Sequence, residues 1–271
     1  MKKILYIILI SVVAVSLVYL FFIPNVSGFK KKNPKKTSMM EYRIAQWKKV
    51  GKKKSVYQVW VPVSKISPYL LKAVLIAEDD KFWSHEGFDY EAIQKAVEKN
   101  IKAGRFKAGG STISQQLAKN LYLTPEKSII RKVREAIITW RLERALSKRR
   151  ILELYLNVVE WGDGIFGAEA AARHYFGKSA LDLDPLEAAR LAVVLPNPIR
   201  YNPASDQKYV VNRSNIIYNI MVRRGIVIPV YEEIQEEKSI SENPPVENHL
   251  EPIEDAPVKP EETREEPASQ Q

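Results

Sequence analysis

The chain opens on one unbroken apolar block. From Ile4 to Ile23 twenty residues carry no charge, about the number needed to cross a hydrocarbon core of roughly 30 Å. The block predicts one transmembrane helix. It outlasts the roughly 7–15 residues of a signal-peptide core, and no A-x-A site precedes the lysines that follow, so an uncleaved anchor is favoured over a cleaved leader. A short extended run, Ser55 to Val63, comes next. The period then becomes helical. Ile93, Ala96, Val97 and Ile101 share one helical face, and Gly104 ends the run. Ile130, Val133, Ile137 and Trp140 repeat the pattern, with Thr124 as expected N-cap and Pro125 in the first turn. Thr112 with Gln115, and Asp184 with Glu187, form two capping boxes, and Pro196 closes the helix that the second one opens. No strand, helix, strand alternation occurs, so the expected body is mainly α with a small β element.

Charge divides the chain further. Residues 24–54 hold eleven Lys or Arg against Glu41 alone, which suits either a juxtamembrane stretch near anionic headgroups or a solvated basic linker. Residues 231–271 carry thirteen acids and three bases. That acidic, Pro-rich end cannot support a core and is expected to be disordered. The expected organisation is therefore 1–23 stub and anchor, 24–56 basic juxtamembrane segment, 57–228 helical body and 229–271 tail. Cysteine is absent, which excludes disulfides, a thiolate nucleophile and thiolate-bound zinc. His85, His174 and His249 are too scattered to cage a metal.

Candidate chemistry gathers in three places. Gly109-Gly110 and neighbouring cations lead into the helix opened by Thr112, a setting that suits a phosphate. An ordinary turn is the plainer alternative, and the segment lacks a Walker sequence. Glu78 and Glu135 are acids of the kind that work in pairs at an anomeric carbon. A helix-end acid and an i, i+4 ion pair with Arg131 would explain them equally. The segment Ile101 to Ser111, with three glycines, three cations and Phe106, is either a mobile flap over a cleft or a static connection.

Four ordered motifs change the weight of these features. They are Glu78-Asp79-x-x-Phe82-x-x-His85-x-Gly87, Gly109-Gly110-Ser111-Thr112-x-x-Gln115-Gln116-Leu117-x-Lys119-Asn120, Arg131-Lys132-x-x-Glu135 and Lys148-x-x-Ile151-Leu152-Glu153-x-Tyr155-Leu156-Asn157. In this order they resemble the motifs of the peptidoglycan glycosyltransferases, glycosyltransferase family 51, over roughly residues 57–204. The nearest likeness is to the monofunctional biosynthetic members. S-x-x-K occurs at Ser27 to Lys30 and Ser205 to Lys208 without a following K-T-G, so no penicillin-binding domain is expected.

The resemblance implies a lysozyme-like helical glycosyltransferase domain that polymerises lipid II with inversion. Glu78 would be the general base, and Glu135 would assist the pyrophosphate side. His85, Gly110, Ser111, Thr112, Gln115, Gln116, Lys119, Asn120, Arg131, Lys132, Lys148 and Asn157 would bind substrate. It further implies a divalent cation, Mg2+ or Mn2+, with no ligand set assigned and no organic cofactor. Expected partners are lipid II, the growing lipid-linked glycan, the membrane and other cell-wall synthesis proteins, with no nucleic acid.

The implied location is the cytoplasmic membrane, single-pass, with the catalytic domain on the outer face. Lysine counting points the other way, since Lys30, Lys31, Lys32, Lys35 and Lys36 outnumber Lys2 and Lys3. Long domains translocate largely regardless of such charge. Two rivals stand beside this reading: a lytic glycosidase of similar architecture, and a basic nucleic-acid-binding scaffold. The scaffold lacks any recognisable nucleic-acid motif. Cations beside Glu135 would keep it ionised, which makes it a poor general acid and favours transfer over hydrolysis.

Overall fold

A computed structural model describes residues 3–8, 10–12, 24–104, 109–126 and 128–228. The helices are α1 (Ser38–Lys49), α2 (Pro68–Glu78), α3 (Tyr90–Ala103), α4 (Ile113–Tyr122), α5 (Ile129–Ala145), α6 (Lys148–Val158), α7 (Ala168–Phe176), α8 (Pro185–Val194) and α9 (Lys208–Arg223). Three short strands, β1 (Tyr57–Gln58), β2 (Glu160–Gly162) and β3 (Ile165–Phe166), complete the body in the order β1-β3-β2. Mainly helical with one small sheet, this is the expected architecture.

Two groups of helices share the core. α2 packs on α8 and α9, while α4 packs on α5 and α6. Leu70 and Val74 of α2, Leu191 of α8, Ile113 and Leu117 of α4, Ile138 and Leu142 of α5 and Ile151 of α6 are all excluded from solvent within one cluster. Local signals start these helices where expected. The Ser67 hydroxyl accepts from the Tyr69 amide ahead of Pro68, and the boxes at Thr112 and Asp184 both close.

The sheet ties distant parts of the chain together. β1 runs parallel to β3, with Tyr57 opposite Ile165, while β2 and β3 form an antiparallel hairpin. Asn157 reinforces this. Its amide donates to the Val61 and Glu153 carbonyls at 2.9 and 2.8 Å and accepts from the Val61 amide at 3.0 Å.

Three element-level expectations are corrected, and the basic segment 24–56 carries structure of its own. The segment 24–56 is folded: Thr37 caps α1, Met39, Met40 and Trp47 are buried, and Arg43 makes a forked ion pair with Glu160. Its high charge masked a small apolar cluster closed by Phe166. The extended run at Ser55 to Val63 contributes strand only at Tyr57–Gln58. Helix α5 begins at Ile129 behind Ser128, four residues later than the Thr124 cap predicted; the Glu126 carbonyl is instead taken by Arg131 Nε at 2.6 Å. The apolar stripe of α5 also faces outward, with Ile130, Val133 and Trp140 exposed while Glu135, Ile138, Thr139 and Leu142 are buried.

Residues 3–8 and 10–12 are helical, and the rest of the apolar block lies outside the described residues. Among the described residues no helix is long and apolar enough to cross a membrane. The acidic end, 229–271, and residues 105–108 of the expected flap also lie outside them. Gly110 is held against α3, where a Cβ would stand 2.9 Å from Ile93 Cα.

Candidate active site

Glu78 is the last residue of α2, so its side chain leaves the helix at the seam with α4. There Oε2 accepts a 2.7 Å hydrogen bond from Gln116 Nε2, and Gln116 Oε1 accepts one of 3.1 Å from the Tyr155 hydroxyl. Because a carboxylate only accepts, the amide presents its NH2 to Glu78, and its carbonyl end is left to accept from the phenol. Glu78 thus has one neutral donor. Burial pushes its carboxyl above the ordinary value; Gln116 and Lys119 oppose this, Asp79 adds to it and Arg213 opposes it. Burial pushes the Tyr155 hydroxyl up as well.

The next residue is committed differently. Asp79 accepts from His85 Nε2 at 2.9 and 3.1 Å and from the Ile113 amide at 2.9 Å. His85 Nδ1 accepts the Gly87 amide at 3.1 Å, which leaves the proton on Nε2. Thr112 then donates to the Gly87 carbonyl at 2.7 Å. Gly87 has φ 92°, and a Cβ there would meet Thr139 at 2.9 Å. These contacts lock the start of α4 to the turn after α2.

Glu135 lies on the inward face of α5, 3% exposed. Its carboxylate takes Arg131 Nη1 at 2.7 Å and also the Lys132 ammonium, and Lys132 reaches Ser111 Oγ at 3.3 Å. The Lys119 ammonium is lowered chiefly by burial. Glu135 and Glu78 pull it back up, while Arg131 and Lys132 push it further down. Lys119 therefore lies within the field of both carboxylates. A cavity of about 250 Å³ opens beside Glu78, lined also by Asp80, Glu91, Gly110, Ser111 and Thr112.

The structure thus brings Glu78, Gln116, Lys119, Arg131, Lys132, Glu135 and Ser111 together. His85, Thr112 and Gln115 spend their polar atoms on the frame that holds α4. Lys148 binds Glu143 at 2.8 Å and stands 4.6 Å above the buried Phe82 ring. Asn120 is buried. Asn157, expected to bind substrate, is wholly buried with its amide committed to Val61 and Glu153; it braces the sheet. Sequence reasoning assigned no role to Tyr155 or Glu143, although Tyr155 stood inside the fourth motif. Nor did it single out Arg213 and Tyr209, which no local pattern marks and which interact with Glu78 across the seam.

Among the described residues no three His, Cys, Asp or Glu side chains are grouped to hold a metal ion.

Two carboxylates in unlike surroundings, one of them clamped by cations, lie at the seam of a helical domain. Residues 44–222 match the family described as Transglycosylase, and the chain belongs to that family of glycosyltransferases. Among its relatives, the biosynthetic peptidoglycan transglycosylase of Dechloromonas aromatica (strain RCB) is 59% identical over 170 residues, covering 63% of this chain and 74% of that one. The protein of the same description from Janthinobacterium sp. (strain Marseille) is 46% identical over 220 residues, 81% of this chain and 95% of its own. That from Chromobacterium violaceum is 45% identical over 222 residues, 82% and 97%.

Proposed function

We propose that this transglycosylase builds peptidoglycan by polymerising lipid II. The observation that carries the reading is the inequality of the two carboxylates. Glu78, desolvated and held by one neutral amide, is a strengthened base. It takes the proton of the acceptor 4-hydroxyl as that oxygen attacks the anomeric carbon of the lipid-linked glycan. The bond from that carbon to the pyrophosphate oxygen breaks with inversion, and undecaprenyl pyrophosphate leaves with the electron pair. Lys119, Arg131 and Lys132 supply cationic donors for its developing charge, and Glu135 holds the last two in place. Such a leaving group needs no general acid. A lytic glycosidase does, whereas here Glu135 spends both oxygens on Arg131 and Lys132, and it is these cations, poised for a pyrophosphate, that favour transfer.

The same reading has the apolar block at Ile4 to Ile23 as a single-pass anchor, with the domain on the outer face of the cytoplasmic membrane, where lipid II, the lipid-linked glycan and other cell-wall proteins would meet it. The test uses detergent-solubilised full chain, labelled lipid II, and Mg2+ or Mn2+. Long lysozyme-sensitive polymer with β linkages is the expected product. Shortening of preformed glycan, or no product from lipid II, would overturn the proposal.

A further inference from the structure

A second basic site lies away from the carboxylates, at the C-terminal end of α5. A cavity of about 440 Å³ is lined there by Asn25, Ser27, Lys30, Trp140, Arg141 and Arg144, with Val26 and Ala145. Three cations and no acid face it. They come from two parts of the chain more than one hundred residues apart. The 3₁₀ turn Ser27–Lys30 is fastened in place by Arg150, which donates to the Phe29 carbonyl at 2.8 Å, the Lys32 carbonyl at 3.1 Å and Asn33 Oδ1 at 2.7 Å. Val26, 4% exposed, anchors the other end of the turn in the core. Lys30 is thereby carried on a fixed element. From the other side, the Arg144 guanidinium stands 4.9 Å from the centre of the Trp140 ring, and that indole is 51% exposed.

Arg141 and Arg144 suit the negative end of the α5 dipole. That accounts for neither Lys30 nor an indole left in solvent. An indole beside guanidinium groups, rimmed by amide and hydroxyl side chains, matches the level of a bilayer where acyl chain gives way to phosphate. The chain also reaches this cavity at Asn25, two residues beyond the end of the twenty-residue apolar block.

We infer that this cavity binds the phosphate headgroup of an anionic phospholipid in the bilayer that holds the anchor. The inference rests on the anchored reading above, yet its test does not require turnover. Full-length protein in non-ionic detergent is titrated with dihexanoyl phosphatidylglycerol, and tryptophan fluorescence is followed. Dihexanoyl phosphatidylcholine and inorganic phosphate are the comparison probes.

Saturable change with phosphatidylglycerol is expected, about tenfold tighter than with either comparison probe. The signal should vanish in Trp140→Phe. Lys30→Gln and Arg144→Gln should each weaken binding about tenfold with unchanged thermal midpoints. Equal response to phosphatidylcholine would overturn the charge argument, and equal saturation by inorganic phosphate would overturn the lipid. A signal that survives Trp140→Phe would place the event elsewhere and overturn the site. None of these substitutions touches the carboxylates, so lipid II polymerisation in detergent should persist in all three. A parent protein that binds the headgroup but makes no polymer would sink the proposed function and leave this inference standing.

Discussion

Glu78 and Glu135 are the same residue held in opposite ways. One ends a helix of the α2, α8, α9 group and meets a single neutral amide. The other sits mid-helix in the α4, α5, α6 group and is clamped by two cations from its own turn. Desolvation with one neutral partner makes a carboxylate eager for a proton, whereas two ion-pair partners make the other a post around which cations are arranged. Environment, more than residue type, divides the labour between base and scaffold.

The largest effect should come from Glu78→Gln, which keeps shape but cannot take the hydroxyl proton. Polymerisation should fall about 10²- to 10⁴-fold, with lipid II binding retained. Turnover within a few-fold of the parent would make Glu78 a mere helix-end acid. Glu135→Gln should instead register first in stability. It leaves Arg131 and Lys132 crowded at a buried position, at a cost of about 1–3 kcal/mol because both cations keep some solvent.

Stability against pH sharpens the contrast. The Glu78 carboxyl is raised in the folded state, so its contribution favours folding below its unfolded value and is lost as pH rises through the folded one. Near pH 7 the charged form burdens the fold. Glu78→Gln should therefore be at least as heat-stable as the parent at neutral pH, and that advantage should shrink as the pH is lowered toward the ordinary carboxyl value. A Glu78→Gln protein destabilised at pH 7 would contradict the desolvated carboxylate. A smaller effect is expected from Gln116→Met. Its lost N–H no longer favours the charged form, so the acid limb of kcat/KM should move to higher pH. An unmoved limb would mean that Gln116 does not tune the base. Smallest of all, Asp184→Ala removes the cap that accepts the Leu186 and Glu187 amides at 2.9 Å. A loss of about 1 kcal/mol in stability without change in the pH profile is expected; a displaced profile would tie α8 to the chemistry.

What could be read from sequence divides along the same line. The setting of Glu135 was legible because its partners are three and four residues away on one helix. The setting of Glu78 was not, since Gln116 lies 38 residues later and Tyr155 beyond that. Capping boxes are local and were placed correctly. Periodicity in α5 found an apolar face, but a period cannot say whether that face turns inward, and here the buried face carries Glu135 and Thr139. In residues 24–56 eleven cations hid the three side chains that fold the segment.

The bracing of β1 has a consequence for how the chain is made. Gln58 reaches a partner 99 residues ahead, and Ser67 one 116 residues ahead. At about 5–20 residues per second of synthesis, the first strand waits roughly 5–20 s for the residues that receive it. Both carboxylates are encoded within that interval. The ribosome therefore makes every helix from α2 to α6 before the loop containing them can close, so both carboxylates emerge before the strand that braces their domain is paired.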